Sequence, residues 1–127
     1  MSVISLKGKK DVLGNTSELL YEKGIIYVGR HCFQGGWKLQ SSSFHNPYSV
    51  KKYDIHTSLR MYTEHLYSAG LINNVPNLQG FTLACWCDSR KCHAVILDGI
   101  RSYYNYYRSL PTLEQSKSWV ESQVINS

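Results

Sequence analysis

The chain has 127 residues, 43% of them hydrophobic, with 14 Lys and Arg against nine Asp and Glu for a formal charge of +5. This size and apolar share suit one α/β-sized domain over 1–127 and exclude a disordered chain. No apolar stretch approaches the ~20 residues of a membrane span, and the basic balance favours anionic partners: a nucleotide, a nucleic acid or an acidic protein.

The start, Met-Ser-Val-Ile-Ser-Leu-Lys, lacks the apolar core of a signal peptide, so an intracellular, cytoplasmic chain with reduced thiols is expected. Val3 to Leu6 reads as a short strand, followed by the basic loop Lys7-Gly8-Lys9-Lys10. Thr16 or Ser17 caps a short helix through about Glu22, closed by Gly24. Ile25-Ile26-Tyr27-Val28 is β-branched and aromatic without polar alternation, the pattern of a strand buried on both faces. It ends at Gly29-Arg30. Residues 31–53 form a long polar connection whose aromatic content argues for order, and loops of this length are commonly functional. From Asp54 to Ala69 the apolar positions Leu59, Tyr62, Leu66 and Ala69 share a helical face, and Gly70 stops the helix. Leu71 to Leu78 is a helical or turn segment holding Pro76. A strand over Phe81–Cys87 follows. The next helix starts near Lys91 or Cys92 with Ile96, Ile100, Tyr103 and Tyr107 on one face. Pro111-Thr112 ends it, and a last amphipathic helix covers about 113–124. Strands alternating with helices predict a three-layer α/β domain with a small, mainly parallel sheet.

Three of the four cysteines lie between Cys85 and Cys92, next to His93. On a strand Cys85 and Cys87 face together and Trp86 faces away. Cys92 and His93 open a helix, where free N–H groups and the dipole lower a thiol's pKa and favour an anion. Three readings follow. Cys85, Cys87, Cys92 and His93 are zinc-type ligands, although the spacing is tighter than the usual Cys-x2-Cys knuckles. Alternatively Cys87 or Cys92 is a reactive thiol. His93, adjacent to Cys92 on a helix, is expected to diverge from it, so His31, His45 or His56 would have to supply a base. In the third reading the cysteines are small buried hydrophobes.

Gly29-Arg30 puts a close-approach residue and a fixed positive charge at a strand exit, suited to a phosphate or carboxylate. Gly35-Gly36-Trp37 offers a turn and a ring that either stacks on a base or anchors the loop. Asn46-Pro47-Tyr48 reads as a rigid turn whose amide is also able to read a ligand. No Walker loop and no G-x-G-x-x-G are present.

Together these segments resemble an uncharacterised family, domain of unknown function 4326. The residues that carry the resemblance are Tyr27-Val28-Gly29-Arg30, Gly36-Trp37, Asn46-Pro47-Tyr48, Tyr62 with Leu66, Leu83-Ala84-Cys85-Trp86-Cys87 and Cys92-His93, covering about 25–100. The resemblance implies a Rossmann-like α/β domain of bacterial, phage or viral type that binds nucleotide-derived ligands. The chain departs from the family pattern at Ser89, where many relatives carry Pro. It departs again at Ala94 and Val95, where many read Gly-Asp after Cys-His. The resemblance brings no established reaction; if the Asp is catalytic in relatives, its absence at Val95 implies binding without turnover.

The leading expectation is a domain that binds a phosphate-bearing, nucleotide-like ligand at the strand carboxyl ends and hydrolyses or sequesters it. Gly29, Arg30, Trp37, Asn46, Tyr48, Cys92 and His93 would contact the ligand, and Cys87, Cys92 and His93 would carry any catalysis. No resident cofactor is required. The alternative is a zinc-stabilised module, ligated by Cys85, Cys87, Cys92 and His93, that meets nucleic acid or protein through its basic surface.

Overall fold

A computed structural model describes residues 3–86 and 91–126. Three short strands, β1 (Val3–Ser5), β2 (Ile25–Tyr27) and β3 (Thr82–Cys85), form a parallel sheet in the order β1-β3-β2. The last strand thus enters between the first two. Its register pairs Leu83 with Val3 and Ile26, and Ala84 with Ile4 and Tyr27. Single backbone bonds carry the ladder one step further on each side: Leu6 N donates to Cys85 O and Val28 N to Ala84 O, both at 2.9 Å.

Both faces of this sheet are covered, which is why β2 shows no polar alternation. Alternate residues feed two cores. Leu83, Cys85, Ile26 and Val28 join the larger one, with Leu59, Tyr62 and Leu66 of helix α3 (Ile55–Ser68) and Ile96, Leu97 and Ile100 of helix α4 (His93–Tyr107). Ala84, Ile25 and Tyr27 join a smaller one with Leu20, Trp37 and Leu39. Leu20 lies on the short helix Ser17–Glu22, and a further single turn, Lys10–Leu13, precedes it. That turn begins at Lys10, the last residue of the expected basic loop. The structure is therefore a small α/β domain with a three-stranded parallel sheet between two apolar layers.

Local chemistry accounts for the helix bounds. Asp54 caps α3 by accepting from Thr57 N at 3.0 Å and from Thr57 Oγ1 at 2.7 Å. These bonds hold the exposed Asp54 carboxyl below its ordinary pKa. Gly70, in the left-handed region, ends the turn after it. Thr112 and Gln115 form a reciprocal capping box at the start of the helix Leu113–Trp119. The expected last helix is thus present, but its end, Val120–Ile125, winds as a π-helix.

Two details of the apolar pattern differ from expectation. Ala69 is exposed at the end of α3, beyond the region that packs on the sheet. The face of α4 sinks through Ile96 and Ile100, but Tyr107 is 59% exposed, because the last turn of α4 projects past the core. The polar position Arg101 is buried instead. Its guanidinium donates to the carbonyls of Leu78 and Phe81, each at 2.6 Å, and pairs with Asp98 at 3.0 Å. It thereby ties α4 to the 3-10 helix Leu71–Leu78 and to the entry of β3.

Candidate functional site

The carboxyl ends of β2 and β3 carry the interest, since ligands of open parallel sheets bind there. β2 runs out at Tyr27, and the chain turns through Val28 and Gly29 to Arg30. The Tyr27 ring folds back over Gly29: a Cβ at that position would lie 2.5 Å from the tyrosine oxygen. Glycine is needed here because the phenol occupies the side-chain space. The Tyr27 hydroxyl donates to the Arg30 carbonyl and accepts from Trp86 Nε1 at 2.8 Å. Burial pushes the Tyr27 hydroxyl up to a pKa of about 12, against the lowering bond from Trp86. It therefore stays protonated in the neutral range.

Trp86, first residue past β3, also meets Trp37 edge to face with ring centres 5.2 Å apart. Trp37 is buried among Leu20, Tyr27 and Leu39. It thus anchors its loop while one edge lines the surface. The loop doubles back through reciprocal 2.9 Å backbone bonds between Cys32 and Leu39. Gly35 and Gly36 turn it with φ of 61° and 84°, values that favour glycine. Lys10 Nζ donates to Gly35 O at 2.6 Å and Asn15 Nδ2 to Gly36 O at 2.9 Å, which ties the turn down.

These parts enclose a broad-mouthed cleft of about 530 Å³ lined by Tyr27, Arg30, His31, Cys32, Gln34, Gly35, Trp37 and Trp86. Among the described residues its lining carries no carboxylate. The guanidinium of Arg30 is exposed, and Nε and Nη2 hold the Asn46 carbonyl at 3.1 and 2.8 Å. Its outer edge remains available to an anion.

Asn46 has another occupation. Its Oδ1 accepts from Tyr48 N at 2.9 Å and its Nδ2 donates to Ser58 Oγ at 2.8 Å, while Ser58 Oγ donates to Tyr48 O at 2.5 Å. The amide thus fastens its turn to α3. Tyr48 packs edge to face on Tyr53 and His65 and is not among the cleft residues. Of the expected ligand contacts, the structure brings Arg30 and Trp37 together in one cleft, with Asn46 behind Arg30 and Tyr48 apart.

Cys92 and His93 are buried at the head of α4 and do not line that cleft. Cys92 is the N-cap, with extended backbone at φ −142° and ψ 144°. The expected divergence of these two side chains is therefore corrected: helical geometry begins only at His93, and Cys92 Sγ lies 3.9 Å from His93 Nδ1. His93 Nε2 donates to the Val28 carbonyl at 2.7 Å. Because a carbonyl only accepts, the proton sits on Nε2 and Nδ1 faces the thiol. Burial lowers the His93 pKa despite that bond, and the charges of His45 and Arg30 push the same way. Tyr62 braces the imidazole edge to face at 5.2 Å and donates to Phe44 O at 2.7 Å.

Cys85 Sγ and Cys92 Sγ lie 3.2 Å apart, well beyond the ~2.05 Å of a disulfide. Among the described residues no group of three or more His, Cys, Asp or Glu side chains is arranged to hold a metal ion. Cys87, the remaining member of the expected zinc set and of the candidate catalytic thiols, lies outside the described residues, as does Ser89.

The sequence segments of interest are thus wired to one another. Val28 bonds His93, Tyr27 bonds Trp86, Arg30 bonds Asn46, Trp37 packs on Trp86, and Cys85 touches Cys92. Residues 13–102 match the model of the family Domain of unknown function (DUF4326). The chain belongs to this family. It is also similar to "Uncharacterized protein R718" of Acanthamoeba polyphaga mimivirus, 31% identical over 83 residues. That stretch takes 65% of this chain and 58% of the relative's length, so the chain spans little more than half of that protein. No solved structure matches. No described helix is long and apolar enough to cross a membrane.

His31, Cys32 and Gln34 line the cleft and Lys10 is bonded to its turn at Gly35, although residue type alone does not mark them. The available signal is their position: the first three precede the Gly35-Gly36-Trp37 turn, and Lys10 ends the basic run that starts at Lys7.

Proposed function

We propose that this member of the family binds a phosphate-bearing, nucleotide-like ligand in the cleft at the ends of β2 and β3. The observation that carries this reading is the shared cleft of Arg30, Trp37 and Trp86, cationic and aromatic, with no carboxylate among its described lining residues. A phosphate would meet the outer edge of Arg30, joined by the ammonium of Lys10 beside Gly35. A base would lie against the tryptophan edges, with the Gln34 amide within the same lining. A guanidinium suits this task because it stays charged and offers paired donors.

Sequestration is the reading favoured over hydrolysis. Of the expected catalytic residues, Cys92 and His93 are buried away from the cleft, whose own imidazole and thiol are those of His31 and Cys32, and Val95 offers no acid or base. His93 is assigned a positioning role: its bond to the Val28 carbonyl supports the turn that presents Arg30.

A thermal-shift screen with adenosine and uridine 5′-mono- and diphosphates tests the proposal. At 100-fold excess over the dissociation constant a ligand adds about 2.7 kcal/mol, which for a chain of this size raises Tm by roughly 8–10 °C. The shift should fall to about half or less in Arg30→Ala at the same ligand concentration, with the variant's fold checked by circular dichroism. No shift with any of the four compounds would contradict it.

A further inference from the structure

We propose that the occupant of this cleft extends beyond one nucleotide: the surface takes a single-stranded nucleic acid. This inference rests on the nucleotide reading and goes past it in partner class. The observation behind it is the rim. Phe33 is 55% exposed, an unusual place for a phenylalanine, and its ring lies 5.8 Å from that of His31, tilted by 30°. Phe33 is not itself a lining residue, but His31, which its ring accompanies, lines the cleft along with Cys32 and Gln34, so Phe33 extends the cleft's aromatic surface outward. It is not held there by a mobile tip: the reciprocal backbone bonds between Cys32 and Leu39 and the Lys10 bond to Gly35 fix the loop that carries it.

The result is a two-step aromatic platform. Trp86, partly exposed and braced edge to face by the buried Trp37, forms the inner step and the His31–Phe33 pair the outer one. Cations flank the same loop: Arg30 precedes it and lines the cleft, Lys10 is bonded to its turn at Gly35, and the exposed Lys38 follows Trp37 in the chain. Alternating rings and cations on an open surface match the chemistry of a single strand. Unpaired bases offer stacking faces, and the backbone offers a phosphate at each step. A free mononucleotide would leave the outer step unused. A duplex hides the faces of its bases inside the stack, so it gains nothing from exposed rings at a cleft mouth. An acidic protein would satisfy the cations but not the aromatic steps.

Fluorescence anisotropy with labelled 20-nucleotide oligo(dT) and oligo(rU) tests this, against a matched duplex, poly-L-glutamate and uridine 5′-monophosphate. Both single strands should bind saturably and more tightly than the other three. Phe33→Ala, a surface change that leaves the fold intact, should weaken them about tenfold or more while leaving the monophosphate affinity unchanged. With two or three phosphates neutralised, log affinity should fall against log salt with a slope of about −1.4 to −2.1. Tighter binding of one strand identifies the preferred sugar and still supports the proposal. It is overturned if the strands bind no better than duplex or poly-glutamate, or if Phe33→Ala binds them as well as wild type. Binding of the monophosphate without the strands would overturn the extended occupant and leave the cleft reading standing. Binding of neither would remove both.

Discussion

His93 shows how a residue type can be legible while its task is not. A histidine beside a cysteine at a helix start suggests a ligand or a base. The structure uses its Nε2–H on the Val28 carbonyl and buries its ring against Tyr62. A buried imidazole with a lowered pKa stays neutral in the folded chain, whereas in the unfolded chain it titrates near 6.5. The unfolded state therefore takes up the proton first, and stability falls as pH drops below about 6.5 toward the lower folded value. A pH series of urea midpoints should show this slope in wild type and lose it in His93→Gln, which also loses about 1–3 kcal/mol at pH 8 through altered bonding to Val28. An unchanged slope in the variant would assign it to other groups. Gly29 is a parallel case. The sequence suggests room for a ligand, but the Tyr27 phenol takes that room. No spacing rule foretells it, because the phenol is placed by its bonds to Arg30 O and Trp86.

At the scale of elements, the readable parts were those with local causes. Asp54 and Gly70 bracket α3 through a cap and a left-handed stop, and Cys92 marks the start of α4. What depends on tertiary contact was not readable: the burial of Arg101, the exposure of Tyr107 and the π-helical end at Val120–Ile125. Another example is Gly99, inside α4. A Cβ there would lie 2.3 Å from the Trp119 ring, so glycine admits the C-terminal segment. Two terms compete on substitution. Alanine gains about 0.8–1.0 kcal/mol of helix propensity, and crowding costs about 1–3 kcal/mol. Gly99→Ala should therefore lower Tm in wild type but raise it in a Trp119→Ala background. Equal effects in both backgrounds, measured by calorimetry, would show that the indole does not set the packing.

Across the whole molecule, the sheet order β1-β3-β2 gathers segments from distant parts of the sequence at one end. Tyr27 to Arg30, the 31–40 loop, the 46–48 turn and the head of α4 meet there through named bonds. The residues that carry the family resemblance are largely this junction. That explains why the α/β class, and the placing of Arg30 and Trp37 at the strand ends, were legible from sequence. It also explains why their division was not: three-dimensional bonding alone separates the exposed cleft from the buried Cys85–Cys92–His93 support beneath it. Asn46 belongs with the support, since both ends of its amide are engaged.

The central claim is that the cleft between Arg30 and the Trp37–Trp86 pair holds a nucleotide phosphate and its base. Titration of intrinsic fluorescence in Trp119→Phe tests it most directly, because Trp37 and Trp86 are then the reporting indoles among the chain's three tryptophans. Nucleoside 5′-phosphates should quench the emission saturably, the parent nucleosides far less, and Arg30→Ala should weaken the phosphates about tenfold or more, the scale of a charge-assisted contact. Emission unchanged up to millimolar nucleotide, or quenching equal for nucleoside and nucleotide, would contradict the account.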